Sequence, residues 1–145
     1  MKYICLGYMN DESWEKMPES ERNNFVDSCF TYDAELKRTG HYAGGEALQP
    51  AENATMLRIR NGKVHVTDGP FAETKEQIGG IMILEADDLN HAIQLMSKHP
   101  SLALGKGGGS WEIRPAADLT GMIEESKERI AKAKWKSQEE TSWKR

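Results

Sequence analysis

Thr67-Asp68-Gly69-Pro70-Phe71-Ala72-Glu73-Thr74-Lys75-Glu76-Gln77 joins a forced turn to four charged side chains. Asp can bond its own backbone, Gly accepts positive φ, and Pro fixes φ while removing a donor, so Asp68-Gly69-Pro70 reverses the chain. The segment is too charged for a core and too constrained for a free loop. On its N-terminal side, Thr55 to Arg60 and Lys63 to Thr67 alternate in polarity around Asn61-Gly62, a strong hairpin signal, with apolar phases Thr55, Leu57, Ile59 and Val64, Val66. On its C-terminal side, Gly80 to Ala86 is a nearly continuous apolar run, expected of a central strand.

Further out, Tyr3 to Tyr8 is a second apolar run, followed by a polar loop at Asn10 to Ser13. Pro18 suits a first helical turn, with Glu19 and Glu21 at its positive end. Phe25, Cys29, Tyr32 and Leu36 make one apolar helical stripe, which Gly40 ends. His41 to Leu48 is a short strand interrupted by glycine. Asp87 or Asp88 caps a helix with inner face Leu89, Ala92, Ile93 and Met96, stopped by Pro100. Trp111 to Arg114 is the last strand, with Trp111 packed at a seam. This order predicts an α+β fold, a ferredoxin-like sandwich with a mostly antiparallel sheet and helices on one face. Residues 1–116 form that domain. Residues 117–145 form a charged extension, helical over Asp118 to Trp135 with a stripe of Leu119, Met122, Ile123 and Ile130 and then a frayed end. It either wraps a partner subunit or stands as a solvated appendage.

The Asp68-Gly69-Pro70-Phe71 segment, with Gly79-Gly80 before Ile81-Met82-Ile83-Leu84-Glu85-Ala86, resembles the signature of the YCII-related family in its DGPF-domain branch. Met1 to Leu6, Gly44 to Pro50 and Glu112-Ile113-Arg114-Pro115 agree with it, so the resemblance runs from residue 1 to about 116. It implies a dimeric α+β barrel, in which a second copy covers the open sheet face, and hence a homodimer. The superfamily it resembles includes lyases, isomerases and other small-molecule enzymes that work without a cofactor. Some relatives carry a histidine–aspartate pair proposed as catalytic, but the sequence around His41 does not match it.

A net charge of -4 and a pI near 5.6 leave no basic excess for nucleic acid or an anionic membrane. No apolar run reaches the roughly 18 residues of a membrane span, and no leader pattern opens the chain, so a cytoplasmic location is expected. Cys5 and Cys29 lack metal-ligand spacing and read as buried small hydrophobes; no metal site and no cofactor are expected.

The catalytic candidates are Asp68, Glu73, His41 and His65, and the substrate-binding candidates are Lys75, Arg58 and Arg114. A carboxylate beside a lysine can act as a base with an oxyanion partner, and His41 or His65 paired with Asp68 would be an oriented base. Arg58 or Arg114, turned inward, would clamp a small anionic organic compound. The same residues also fit a purely structural role, with Asp68 capping the turn. His91 and His99, at the second helix and its end, are expected in solvent. Gly105 to Gly109 lacks the frame of a phosphate loop. The chain thus reads as a small-molecule enzyme of the proton-transfer type, as a non-catalytic ligand-binding module, or as a structural dimer.

Overall fold

The structure is a computed structural model that describes residues 1–70, 75–104 and 108–143. Four strands form one antiparallel sheet: β1 (Lys2–Met9), β2 (Tyr42–Ala47), β5 (Gln77–Glu85) and β6 (Ser110–Pro115), in spatial order β2-β5-β1-β6. With α2 (Glu19–Arg38) between β1 and β2, and α3 (Leu89–Met96) between β5 and β6, this is the ferredoxin-like α+β arrangement. A hairpin of β3 (Thr55–Arg60) and β4 (Lys63–Asp68) is inserted between β2 and β5 as a separate two-stranded sheet.

Local chemistry explains the boundaries. Asp88 caps α3 by accepting from His91 N, and Gly40 takes φ 80° beyond the end of α2. Asn61 and Gly62 take φ 51° and 76°, the left-handed pair of a tight hairpin turn. The polar loop after β1 contains a short helix, α1 (Asp11–Glu15), capped by Asn10, whose Trp14 meets Phe25 of α2 edge-on at 5.8 Å. The C-terminal helix α4 runs Thr120–Trp143, well past the fraying expected at its end, because its Lys, Glu, Gln and Ala residues are good helix formers.

The core lies between the helices and one face of the sheet: Tyr3, Cys5, Leu36, Met82, Leu84, Ala86, Ala92 and Met96. Two positions of the expected inner face of α3, Leu89 and Ile93, are instead nearly half exposed, because that face meets the sheet only along Ala92 and Met96. The hairpin's apolar phase is exposed too, Ile59 at 75%, since the hairpin joins no strand of the main sheet. No helix among the described residues is long and apolar enough to cross a membrane.

Candidate functional site

The strand register determines where the core stops. Across β2, β5, β1 and β6 the rows facing the helices are Gly45–Met82–Cys5–Ile113 and then Ala47–Gly80–Gly7–Trp111. The first row has side chains enough to fill the space below α2. The second has almost none in its first three positions, so the layers separate into a cavity of about 460 Å³. Its walls are Met9, Ile81 and Met82 from the sheet, Phe25 and Phe30 from α2, and Leu104 and Trp111. Trp111 closes one side by lying over Gly7: a Cβ there would come within 3.0 to 3.3 Å of three ring atoms.

Into this apolar lining project Asp33 from α2 and His99 and Ser101 from the connection between α3 and β6. His99 Nε2 lies 3.4 Å from Asp33 Oδ1. His99 is only 6% exposed, packed edge-on against Trp111 at 5.0 Å and Tyr32 at 5.8 Å. Its Nδ1 sits 2.7 Å from Ser101 Oγ, which also accepts a 2.6 Å bond from Trp111 Nε1. The 3.4 Å contact is within ion-pair reach but not an aligned hydrogen bond, so among the described residues no group is aligned on the buried Asp33 Oδ1.

The Asp33 charge is felt around the cavity. Burial and then Asp33 push the Cys29 thiol up to about 11. The Tyr32 and Tyr42 phenols are likewise raised, first by burial and next by Asp33. Lys37 and Glu46 also line the cavity, with Lys37 Nζ 4.8 Å from the Tyr42 ring centroid. Among the described residues, no three of His, Cys, Asp and Glu form a group able to hold a metal.

The family model of the YCII-related domain matches residues 1–120. This chain belongs to the YCII-related family. It is also 34% identical over 125 residues to an uncharacterized protein of Rhizobium meliloti (strain 1021), covering 81% of this chain and 93% of that one.

None of the six described site candidates read from the sequence lines the Asp33–His99 cavity of this YCII-related protein. His41 bonds the Glu85 carbonyl through Nδ1 at 2.9 Å and stacks edge-on against His91 at 4.9 Å, at the opposite end of the sheet. His65 and Asp68 are exposed on β4, on opposite faces of the hairpin because they are three residues apart. Arg58 and His65, directly opposite each other, border a separate cleft of about 110 Å³. Arg114 lies on the other face of the sheet and donates to Glu112 at 2.9 Å. Lys75 is exposed, while Glu73, Phe71 and residues 105–107 lie outside the described residues.

The main correction concerns His99. Expected in solvent because it follows a helix end, it is buried because Tyr32 of α2 and Trp111 of β6 close over it. Asp33 is not among the sequence candidates, although it carries a signal: it interrupts the apolar stripe of α2, one turn after Cys29 and beside Tyr32.

Proposed function

We propose that this YCII-related protein binds a small, largely apolar ring compound in the 460 Å³ cavity and moves a proton on it at the Asp33–His99 pair, as a lyase or isomerase does. The observation that carries the reading is the Asp33 carboxylate, with one oxygen buried and no donor aligned on it, in a wall of apolar side chains. A charged acceptor in such surroundings interacts strongly with a proton donor brought to it. Two carboxylates, Asp33 and Glu46, face one ammonium, Lys37, across the lining. That balance favours a ligand that enters neutral and carries an acidic C–H or O–H, over one already anionic.

The test is a thermal-shift and NMR titration of wild type and Asp33→Asn with cyclic enols, phenols and ketones, followed by hydrogen–deuterium exchange of any bound compound in D2O. A charge-assisted hydrogen bond of about 1.5–3 kcal/mol corresponds to a loss of roughly 10- to 150-fold in affinity for the variant. Wild type should exchange the acidic hydrogen of the ligand, and the variant should not. Binding without exchange makes the protein a ligand-binding module, and equal binding by both proteins removes Asp33 from the site.

The same reading includes a homodimer, and Asp68-Gly69-Pro70-Phe71 supports placement in the DGPF branch. An isolated hairpin is marginal in water, and Leu57, Ile59, Val64 and Val66 are each at least 64% exposed on one side of β3 and β4. A second copy would cover that side together with the open sheet face. Sedimentation equilibrium should give about twice the 16.3 kDa chain mass; a monomer at micromolar concentration contradicts it.

A further inference from the structure

We infer that His99 is held as an Nε2–H donor, that Asp33 is therefore the member of the pair that takes the proton, and that Ser101 and Trp111 are the positioning residues that enforce this. The inference rests on reading the cavity as a proton-transfer site, and it assigns the roles within it.

The proton on His99 is assigned by following the donors. The Ser101 backbone N–H donates to His99 Nδ1 at 3.2 Å, the bond by which His99 caps the short 3-10 turn Pro100–Ala103. A backbone amide can only donate, so Nδ1 is an acceptor. Ser101 Oγ lies 2.7 Å from the same nitrogen. That hydroxyl already accepts from Trp111 Nε1 at 2.6 Å, and an indole N–H can only donate. The hydroxyl proton is thus directed onto His99 Nδ1. The series runs one way, from Trp111 to Ser101 to His99 Nδ1, and leaves the single proton of the neutral ring on Nε2, 3.4 Å from Asp33 Oδ1.

Both ring nitrogens are then committed. Nδ1 has its lone pair occupied by two donors, and Nε2 carries the proton that faces Asp33. Asp33 is left as the group of the pair that can accept a ligand's proton. In the step itself, a ligand C–H or O–H bond breaks and its proton bonds to the Asp33 carboxylate, while the electron pair remains on the ligand as an enolate or phenolate. Asp33 then returns the proton to another ligand atom and ends as it began. His99 keeps its Nε2 proton throughout, because Nδ1 is already occupied by the two donors of Ser101.

The series is anchored in the sheet at Gly7, where the absence of a side chain makes room for the Trp111 ring.

The experiment is long-range 1H–15N NMR on ligand-free protein with 15N-labelled histidine and tryptophan, with His99 assigned by the loss of its signals in His99→Asn. Neutral His99 is expected to carry its proton on Nε2. In Ser101→Ala, the His99 Nδ1 resonance should move toward that of a less hydrogen-bonded nitrogen and the Trp111 indole N–H should shift. Ser101→Thr, which keeps the hydroxyl, should restore both. A wild-type ring protonated on Nδ1, or a Ser101→Ala spectrum with both signals unmoved, overturns the inference. Because no ligand is present, such a result leaves Asp33-dependent ligand binding intact, whereas failure of every compound to bind removes the cavity reading and leaves the tautomer standing.

Discussion

Replacing Gly7 with alanine should destabilise the protein, while the same replacement at its cross-strand partner Gly80 should not. At Gly7 the new methyl would meet Trp111 ring atoms at 3.0, 3.1 and 3.3 Å, so the ring must yield by a few tenths of an ångström. It is not free to do so, because its Nε1 is tied to Ser101 Oγ at 2.6 Å. Overpacking of this kind costs about 1–3 kcal/mol and a weakened hydrogen bond up to about 1 kcal/mol more. Loss of glycine's unfolded-state freedom offsets about 0.5–1 kcal/mol, leaving a net destabilisation of about 1–2 kcal/mol. At Gly80 the nearest atoms are Glu46 O at 3.4 Å and Ala47 Cα at 3.9 Å, an ordinary contact. There the entropic gain stands nearly alone, so the two variants should differ by about 2 kcal/mol. With an unfolding entropy of about 2.1 cal/mol/K per residue over a chain of this length, that gap is about 7 °C in Tm. Differential scanning calorimetry of the two variants measures it directly. Equal melting temperatures, or Gly7→Ala melting above Gly80→Ala, would refute the reasoning that Trp111 is seated on Gly7.

Three further outcomes are expected. Cys29, its thiol raised from 9.0 to about 11, should react with iodoacetamide at pH 8 roughly tenfold more slowly than an ordinary cysteine: thiolate falls about 100-fold, and greater nucleophilicity recovers about tenfold. Cys5 is raised to about 11 as well, so both thiols ionise first in the unfolded chain. Their contribution to stability is intact below pH 9 and is lost as pH rises through 11, which urea midpoints across that window will show; a flat profile contradicts it. Asp68→Ala should change stability by less than about 0.5 kcal/mol, because Asp68 is exposed and its side chain makes no hydrogen bond or ion pair among the described residues. A loss above about 1 kcal/mol in urea denaturation would restore the turn-capping role read from the sequence.

Most of the fold was legible because its signals are local. Asn61-Gly62, Asp88 and Gly40 each set a turn or a helix end through bonds or dihedrals within a few residues, and each stands where the pattern put it. What local pattern could not reveal was which apolar faces find partners. Leu57 and Ile59 alternate like any half-buried strand, yet the hairpin stays off the main sheet. The cavity was hidden for the same reason: Gly7, Ala47, Gly80 and Trp111 are far apart in sequence and become one row only through the register of four strands. The charged segment after β4 is dense in reactive groups and stands out in sequence, whereas the Asp33–His99 pair joins α2 to the turn after α3. A glycine inside a strand is nonetheless a sequence-level sign of close approach, and at Gly7 the Trp111 ring makes that approach.

The features of the cavity that run against stability are concentrated in one place. A row of a four-stranded sheet carries only the Ala47 methyl across three of its positions, a carboxylate oxygen is buried with no donor among the described residues aligned on it, and Phe30 on the cavity wall is 68% exposed. A buried polar atom left unpaired costs about 1–3 kcal/mol, and here the carboxylate that carries it lines the cavity a ligand would fill. Neighbouring positions on the same strands, Met82, Leu84, Tyr3 and Cys5, are filled and buried, so the sequence can close this core and does so one row away. His99 adds a second kind of constraint. Its Nδ1 serves the local turn and its Nε2 faces Asp33 on a different helix, so the ring cannot rotate to satisfy one contact without losing the other. Local rules are broken together at one site while the surrounding packing keeps to them, as expected where selection acts on binding or chemistry rather than on packing.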